Sequence, residues 1–244
     1  MQLKEQGASV VITVDCGTLA FEALAAAHEA GLDVIVIDHH QGEARKPTCF
    51  ALVNPNRLDE TSPHRQLAAV GVAFLLCVGV NKVLREKSLP PLRGEVRRGG
   101  TPADNMSPGV PPTPALPLKG GGGVELPDLK QWLDIVALGT VCDVVPLTGV
   151  NRAFVAQGLK VLAARQNLGM RTALDVAKAD SKPDVYTCGF ILGPRINAGG
   201  RVGKSDLGVR LLTTEDEAEA KQLAAELERH NAERKAIEAM VLEE

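Results

Sequence analysis

Residues 9–38 read SVVITVDCGTLAFEALAAAHEAGLDVIVID, and the order of residue types in this stretch decides the fold. A β-branched run, SVVITV, gives way to the turn residues DCGT. LAFEALAAAHEA then carries helical character, Gly31 stops it, and DVIVI begins a second buried run. The pattern is strand, loop, helix, strand. A strand that returns through a helix lies parallel to the first, with a right-handed crossover, so both strands end on the same edge of the sheet. Asp15 ends the first strand and Asp38 ends the second, with His39 and His40 directly after it. The expected fold is α/β, a parallel sheet flanked by helices.

In open parallel sheets the carboxyl edge is where ligands bind. This topology therefore brings Asp15 toward Asp38, His39 and His40. Carboxylates with an added imidazole suit a divalent cation, Mg²⁺ or Mn²⁺, the imidazole tilting the choice toward Mn²⁺. Each residue also has a plain structural reading, since a strand-end Asp often caps a helix and a His pair is often solvated loop. Cys16 is a weaker candidate as a nucleophile, because no histidine stands in a readable relation to it.

The rest of the composition narrows the class. The 244 residues can bury one large core or two small ones, and 45% hydrophobic with 23% charged residues is ordinary for a globular protein. No apolar run approaches the roughly 18–20 residues that span a bilayer, and the start, MQLKEQGASV, lacks a secretory signal. A cytoplasmic protein is expected, with no membrane. The five cysteines form no CxxC pair, which reads as free thiols and not as a zinc site. With a net charge of −3, nucleic acid would have to be held by a local basic surface.

Between Pro90 and Gly123 the chain holds eight of its fifteen prolines and ends in four glycines. Such a stretch propagates neither helix nor sheet and has little apolar surface to offset its ordering entropy. A disordered surface insertion at about 90–124 is expected. PPTP within it could serve as a polyproline ligand.

Four blocks in order, VITVDCGT, VIVIDHH, LDIVALGTVCDVVPL and GPRINAGGR, resemble the catalytic core of the DHH phosphoesterase superfamily. The last two resemble its single-stranded-DNA exonuclease branch. The resemblance implies that Asp15, Asp38, His39 and Asp143 form the metal-binding set, with Asp38 as a ligand or as support for one. It implies that His40 faces the substrate phosphate. Asp143 has a capping residue as its plainer reading. The implied chemistry is hydrolysis of a phosphodiester with a pair of Mn²⁺ or Mg²⁺ ions and no protein nucleophile. The implied activity is a 5′ to 3′ exonuclease of DNA repair and recombination. The alternatives are a phosphodiesterase of short or cyclic oligonucleotides and a non-catalytic binding fragment.

GPRINAGGRVGK places Arg195, Arg201 and Lys204 among glycines with no acid between them, which suits contact with a phosphate backbone. With His40 and Asn197 these residues form the expected substrate-binding set. Aromatic residues are 3%, so no base-stacking platform is legible, and selection for single strands is expected to be steric. The final segment from Thr214 reads as one long helix, with Thr214 and Glu217 as a capping box and Leu223, Leu227, Ile237 and Val241 as a broken apolar stripe. Residues 1–212 are expected to form a partial DHH domain, and 213–244 a connecting helix toward a second domain or a protein partner. The first acidic motif of the superfamily has no counterpart before Gln2, so reduced activity is expected.

Overall fold

The computed structural model describes residues 2–88, 126–202 and 204–243, so the expected insertion lies outside the described residues. The chain divides into two units, Met1–Cys77 with Asp128–Glu244, and Val78–Pro127. Of the second unit, residues 78–88 continue a helix, and the Asn81 side chain donates to the Pro127 carbonyl at 3.3 Å.

The first unit opens with a short helix, α1 (Gln2–Glu5), and the expected strand, β1 (Val10–Val14). Helix α2 (Phe21–Glu29) then returns the chain to β2 (Asp33–Ile37), which pairs with β1 in parallel. Gly31, at φ +72°, permits the reversal between α2 and β2. A third strand, β3 (Ala51–Val53), adds in parallel to the other side of β2. The sheet order is β1-β2-β3, so β2 is paired at both edges, and packing covers it on both faces. Val34 and Val36 pack with Leu24 and Leu32 on the α2 side, while Ile37 packs with Leu67 and Val72 on the other. This burial on both faces is why Val34–Ile37 are apolar throughout. On β1 only one face is covered; Val10, Ile12 and Val14 are about half exposed.

Helices follow: α3 (Ala69–Ser88), α4 (Leu133–Cys142), α5 (Gly149–Ala163) and α6 (Leu168–Val176). Gly158 lets α5 lie against α4, since a Cβ there would sit 2.1 Å from the Leu133 carbonyl oxygen. The helical path then runs through a π-helical segment (Thr187–Leu192) into α7 (Gly193–Val202), followed by α8 (Leu207–Thr213) and α9 (Glu217–Glu243). Leu138, Leu162, Met170, Leu174, Leu192, Leu207, Leu211, Leu223 and Leu227 form the core among these helices.

Two expectations are corrected. The block GPRINAGGR is helical, not a loop, and two of its glycines, Gly193 and Gly199, serve close packing, while Gly200 is open. A Cβ on Gly193 would lie 2.4 Å from Cys142 Sγ, and one on Gly199 would lie 2.8 Å from Leu227 Cδ2. The cap of α9 is Asp216, whose carboxylate accepts from Ala218 N at 2.7 Å and Glu219 N at 3.1 Å. Thr214 instead donates to the Glu219 side chain and accepts from Asp216 N at 3.2 Å, so the cap lies two residues later than expected and the reciprocal bond of a capping box is not made. Leu223 and Leu227 are buried as the stripe predicted, whereas Ile237 and Val241 are exposed.

Candidate metal centre

The carboxyl edge of the sheet carries the acids and imidazoles. Asp15 follows β1 with φ +62°, a left-handed conformation that Asp tolerates, and its N–H donates to the Ile37 carbonyl at 2.8 Å. Gly17, at φ +117°, completes the turn; a Cβ there would meet Thr13 Oγ1 and Val36 Cγ1, both at 3.0 Å. Asp38 ends β2, and its N–H donates to the Val53 carbonyl of β3 at 3.1 Å. Asp143 is the last residue of the α4 turn, and Val144 after it takes φ +58°. A β-branched residue there is a genuine outlier, and such strain gathers at functional sites.

These elements bring three side chains together. His39 Nε2 lies 3.3 Å from Asp15 Oδ1 and 3.3 Å from Asp143 Oδ2. Neither contact has hydrogen-bond geometry, so this buried ring nitrogen has no hydrogen-bond partner. A buried ring nitrogen between two carboxylate oxygens, bonded to neither, is an arrangement a divalent cation would complete. The donor set therefore fits Mn²⁺ or Mg²⁺, and ring nitrogens of His39 and His40 with an Asp15 oxygen cluster within 4.8 Å. Burial raises the pKa of Asp143, His39 offsets this in part, and the Asp15 carboxylate raises it further. Two carboxylates converging on one point call for positive charge between them.

Asp38 is placed differently. It is 1% exposed and its oxygens are occupied by the chain: Oδ2 accepts from Thr18 N at 2.9 Å. Oδ1 accepts from His39 N at 2.8 Å, from His40 N at 3.2 Å, and bonds His40 Nδ1 at 2.7 Å. Burial alone would raise its pKa, but the bonds from Thr18 and His40 prevail and hold it well below the ordinary carboxylate range. His40 in turn is raised above an ordinary histidine, first by its bond to Asp38. Its ring is largely exposed and meets that of His39 edge-on, with centroids 4.7 Å apart.

The motif is further pinned by residues that carry no signal of this role in the sequence beyond Asn-Pro-Asn at 54–56. Asn54 is 2% exposed and donates to Thr18 Oγ1 at 2.7 Å and to the His40 carbonyl at 2.8 Å. Asn56 donates to the His39 carbonyl at 2.5 Å. Together the two amides clamp the backbone of the histidine pair.

Beside the cluster lies a cleft of about 760 Å³, lined by Asp15, Asp143, Gly193, Asn197 and Gly200, with Arg234 and Glu238 of α9 in its wall. Asn197, from the expected substrate set, is exposed here. Arg195 is not directed to the cleft: its guanidinium pairs with Glu228 and donates to the Ile191 carbonyl at 2.7 Å, which ties α7 to α9. Lys204 is exposed beyond α7, and the Arg201 side chain lies outside the described residues. Arg234, absent from the expected set, is the cation in the cleft wall; it donates to Asn231 Oδ1 at 3.1 Å and pairs with Glu238.

Residues 3–94 match the DHH family, N-terminal domain. The single-stranded-DNA-specific exonuclease RecJ of Dickeya dadantii is 36% identical over 98% of this chain and 37% of its own length. The Bacillus subtilis protein of the same name is 35% identical over 99% of this chain and 25% of its length. Among solved structures, exonuclease RecJ bound to manganese superposes with a TM-score of 0.72 at 29% identity, covering 99% of this chain and 51% of that one. RecJ from Thermus thermophilus in complex with Mn²⁺ gives 0.71 at 29% identity, over 99% of this chain and 30% of that one. No described helix is long and apolar enough to cross a membrane. The chain thus spans only a part of the curated relatives it matches; its residues 3–94 are similar to the N-terminal domain of the DHH family, and nearly its whole length is similar in sequence and fold to a part of RecJ.

Proposed function

We propose that this chain carries metal-binding residues of a single-stranded-DNA exonuclease that hydrolyses phosphodiesters from the 5′ end. The observation that carries the reading is the buried His39 Nε2, unbonded and 3.3 Å from a carboxylate oxygen of both Asp15 and Asp143. Asp15, His39 and Asp143 would hold a divalent cation, Mn²⁺ or Mg²⁺, the ions named for the RecJ structures it resembles. When bound, such ions polarise the phosphate and acidify water, in place of a protein nucleophile.

The chain's own residues have separable tasks in this reading. Asp38 positions His39, because its carboxylate holds the His39 and His40 backbone N–H groups. His40 is fixed through Nδ1 to Asp38, and its largely exposed ring is placed to face a phosphate oxygen. The cleft beside the cluster gives the strand a place to lie, with Asn197 and Arg234 as polar groups toward it. A role in DNA repair and recombination, and the cytoplasmic setting, follow from the same reading.

Nucleotide release from a 5′-labelled single strand, a blunt duplex and a dinucleotide, with Mn²⁺ and with His39→Ala as control, tests it. Release from the single strand alone, lost in His39→Ala, is expected. Faster hydrolysis of the dinucleotide than of the strand would favour a short-oligonucleotide phosphodiesterase and refute the exonuclease reading.

A further inference from the structure

The helical path that ends in α7 begins at Val185 and passes through the π-helical segment. Its start is anchored by Asp184, whose Oδ1 accepts from Thr187 N at 2.8 Å and from Thr187 Oγ1 at 3.0 Å. Thr187, Cys188 and Leu192 face inward and are buried. Tyr186 and Phe190 do the opposite: they are 61% and 68% exposed, and their rings stack at 5.0 Å between centroids with planes 19° apart. Two large aromatics held parallel in solvent need an explanation, since the chain has one tyrosine and five phenylalanines in all and could bury these as it buries its leucines.

Their place on the helix suggests one. Gly189, next to Phe190, lines with Gly193, Pro194 and Asn197 of the same helical run the cleft that also holds Asp15 and Asp143. The helical run from Tyr186 to Asn197 spans at most about 16 Å along the axis, the length it would have at the α-helical rise. A polynucleotide lying in the cleft with a phosphate at the acids would therefore reach the aromatic pair within a few nucleotides. π-helical turns recur at functional positions, and here Cys188 and Leu192, each two residues on from a member of the outward pair, face the core.

We propose that Tyr186 and Phe190 form a stacking platform for unpaired bases of the strand whose phosphates enter the cleft. Flat π faces accept any base, so the platform adds affinity without sequence preference. A base in a duplex has both faces covered by its neighbours and cannot stack there without leaving the helix, so the platform discriminates for single strands by chemistry as well as by width. This supplies the base contact that the 3% aromatic content argued against. The inference rests on the single-stranded-DNA reading above, and the test separates the two.

Fluorescence anisotropy would compare an oligothymidylate of roughly 12 nucleotides with an abasic oligomer of equal length and charge, in Ca²⁺ so that the strand is not cut. The wild type should bind the oligothymidylate about tenfold more tightly than the abasic strand, and the double variant Tyr186→Ala, Phe190→Ala should bind both alike. The salt dependence should be unchanged, since no phosphate contact is removed. Tyr186→Phe should keep the preference. Both rings are exposed, so the thermal melt of the double variant should match the wild type. Failure of the wild type to bind either oligomer would overturn the DNA reading and the platform with it. Binding by the wild type with no preference for bases, or a preference that survives in the double variant, would overturn the platform alone.

Discussion

Replacing Asp38 with Asn keeps the shape of the side chain and removes its charge, which separates a positioning role from a ligand role. In the metal-free protein the carboxylate accepts from Thr18 N, His39 N and His40 N and bonds His40 Nδ1. An amide can present one oxygen only. If that oxygen stays with His39 and His40, the NH₂ group faces the Thr18 N–H, a donor against a donor where Asp38 and Thr18 are 1% and 3% exposed. One stranded buried donor costs about 1–3 kcal/mol, and weakening the remaining charge-assisted bonds adds about 1–2 kcal/mol. The expected loss is about 2–5 kcal/mol, read as a lower urea midpoint with an unchanged slope. Such a loss leaves an ordinary domain folded but strongly weakened. Mn²⁺ affinity should fall as well, by the roughly 10–100-fold typical of groups that orient a ligand. An unaltered urea midpoint in the metal-free protein, together with complete loss of Mn²⁺ binding, would refute the reasoning and make Asp38 a direct ligand.

Val144→Gly should raise stability by about 1 kcal/mol or leave it unchanged, because φ +58° is strained for valine and the side chain is 88% exposed, with little packing to lose; a urea titration reads this. Arg195→Ala should lower stability by about 1–3 kcal/mol through loss of the Glu228 pair, while the salt slope of DNA binding stays as in the wild type. Burial pushes the Cys188 thiol up to about 12, so at pH 8 it should resist a thiol reagent in the native protein and react once urea unfolds the chain, as peptide mapping would show.

The parallel unit β1-α2-β2 is legible because β-branched runs, a helical segment and Gly31 fall in an order that only one connection satisfies. That order alone puts Asp15 beside His39. Asp143 is legible only through likeness, since nothing in LGTVCDVV says locally that α4 ends at the sheet edge. The third strand escapes a reading of the sequence because three residues, Ala51–Val53, carry no period. Gly193 and Gly199 of GPRINAGGR mislead: the same absence of Cβ that admits a phosphate also admits Cys142 and Leu227, and sequence does not say which neighbour arrives. Arg195 misleads for a related reason, because its partner Glu228 lies on another helix. Tyr186 and Phe190 do not stand out as a pair because two aromatics four residues apart read as well as core residues of a helix as exposed ones.

The central claim is that Asp15, His39 and Asp143 hold a divalent cation. Calorimetric titration of the metal-free chain with Mn²⁺ tests it most directly, alongside His39→Ala, Asp143→Asn and, as control, His28→Ala on the exposed face of α2. The wild type and His28→Ala should bind Mn²⁺ alike, and both site variants should lose more than about tenfold in affinity while keeping the wild-type fold. Equal Mn²⁺ binding by wild type and a folded His39→Ala would contradict the account, because the unbonded nitrogen between Asp15 and Asp143 would then hold nothing.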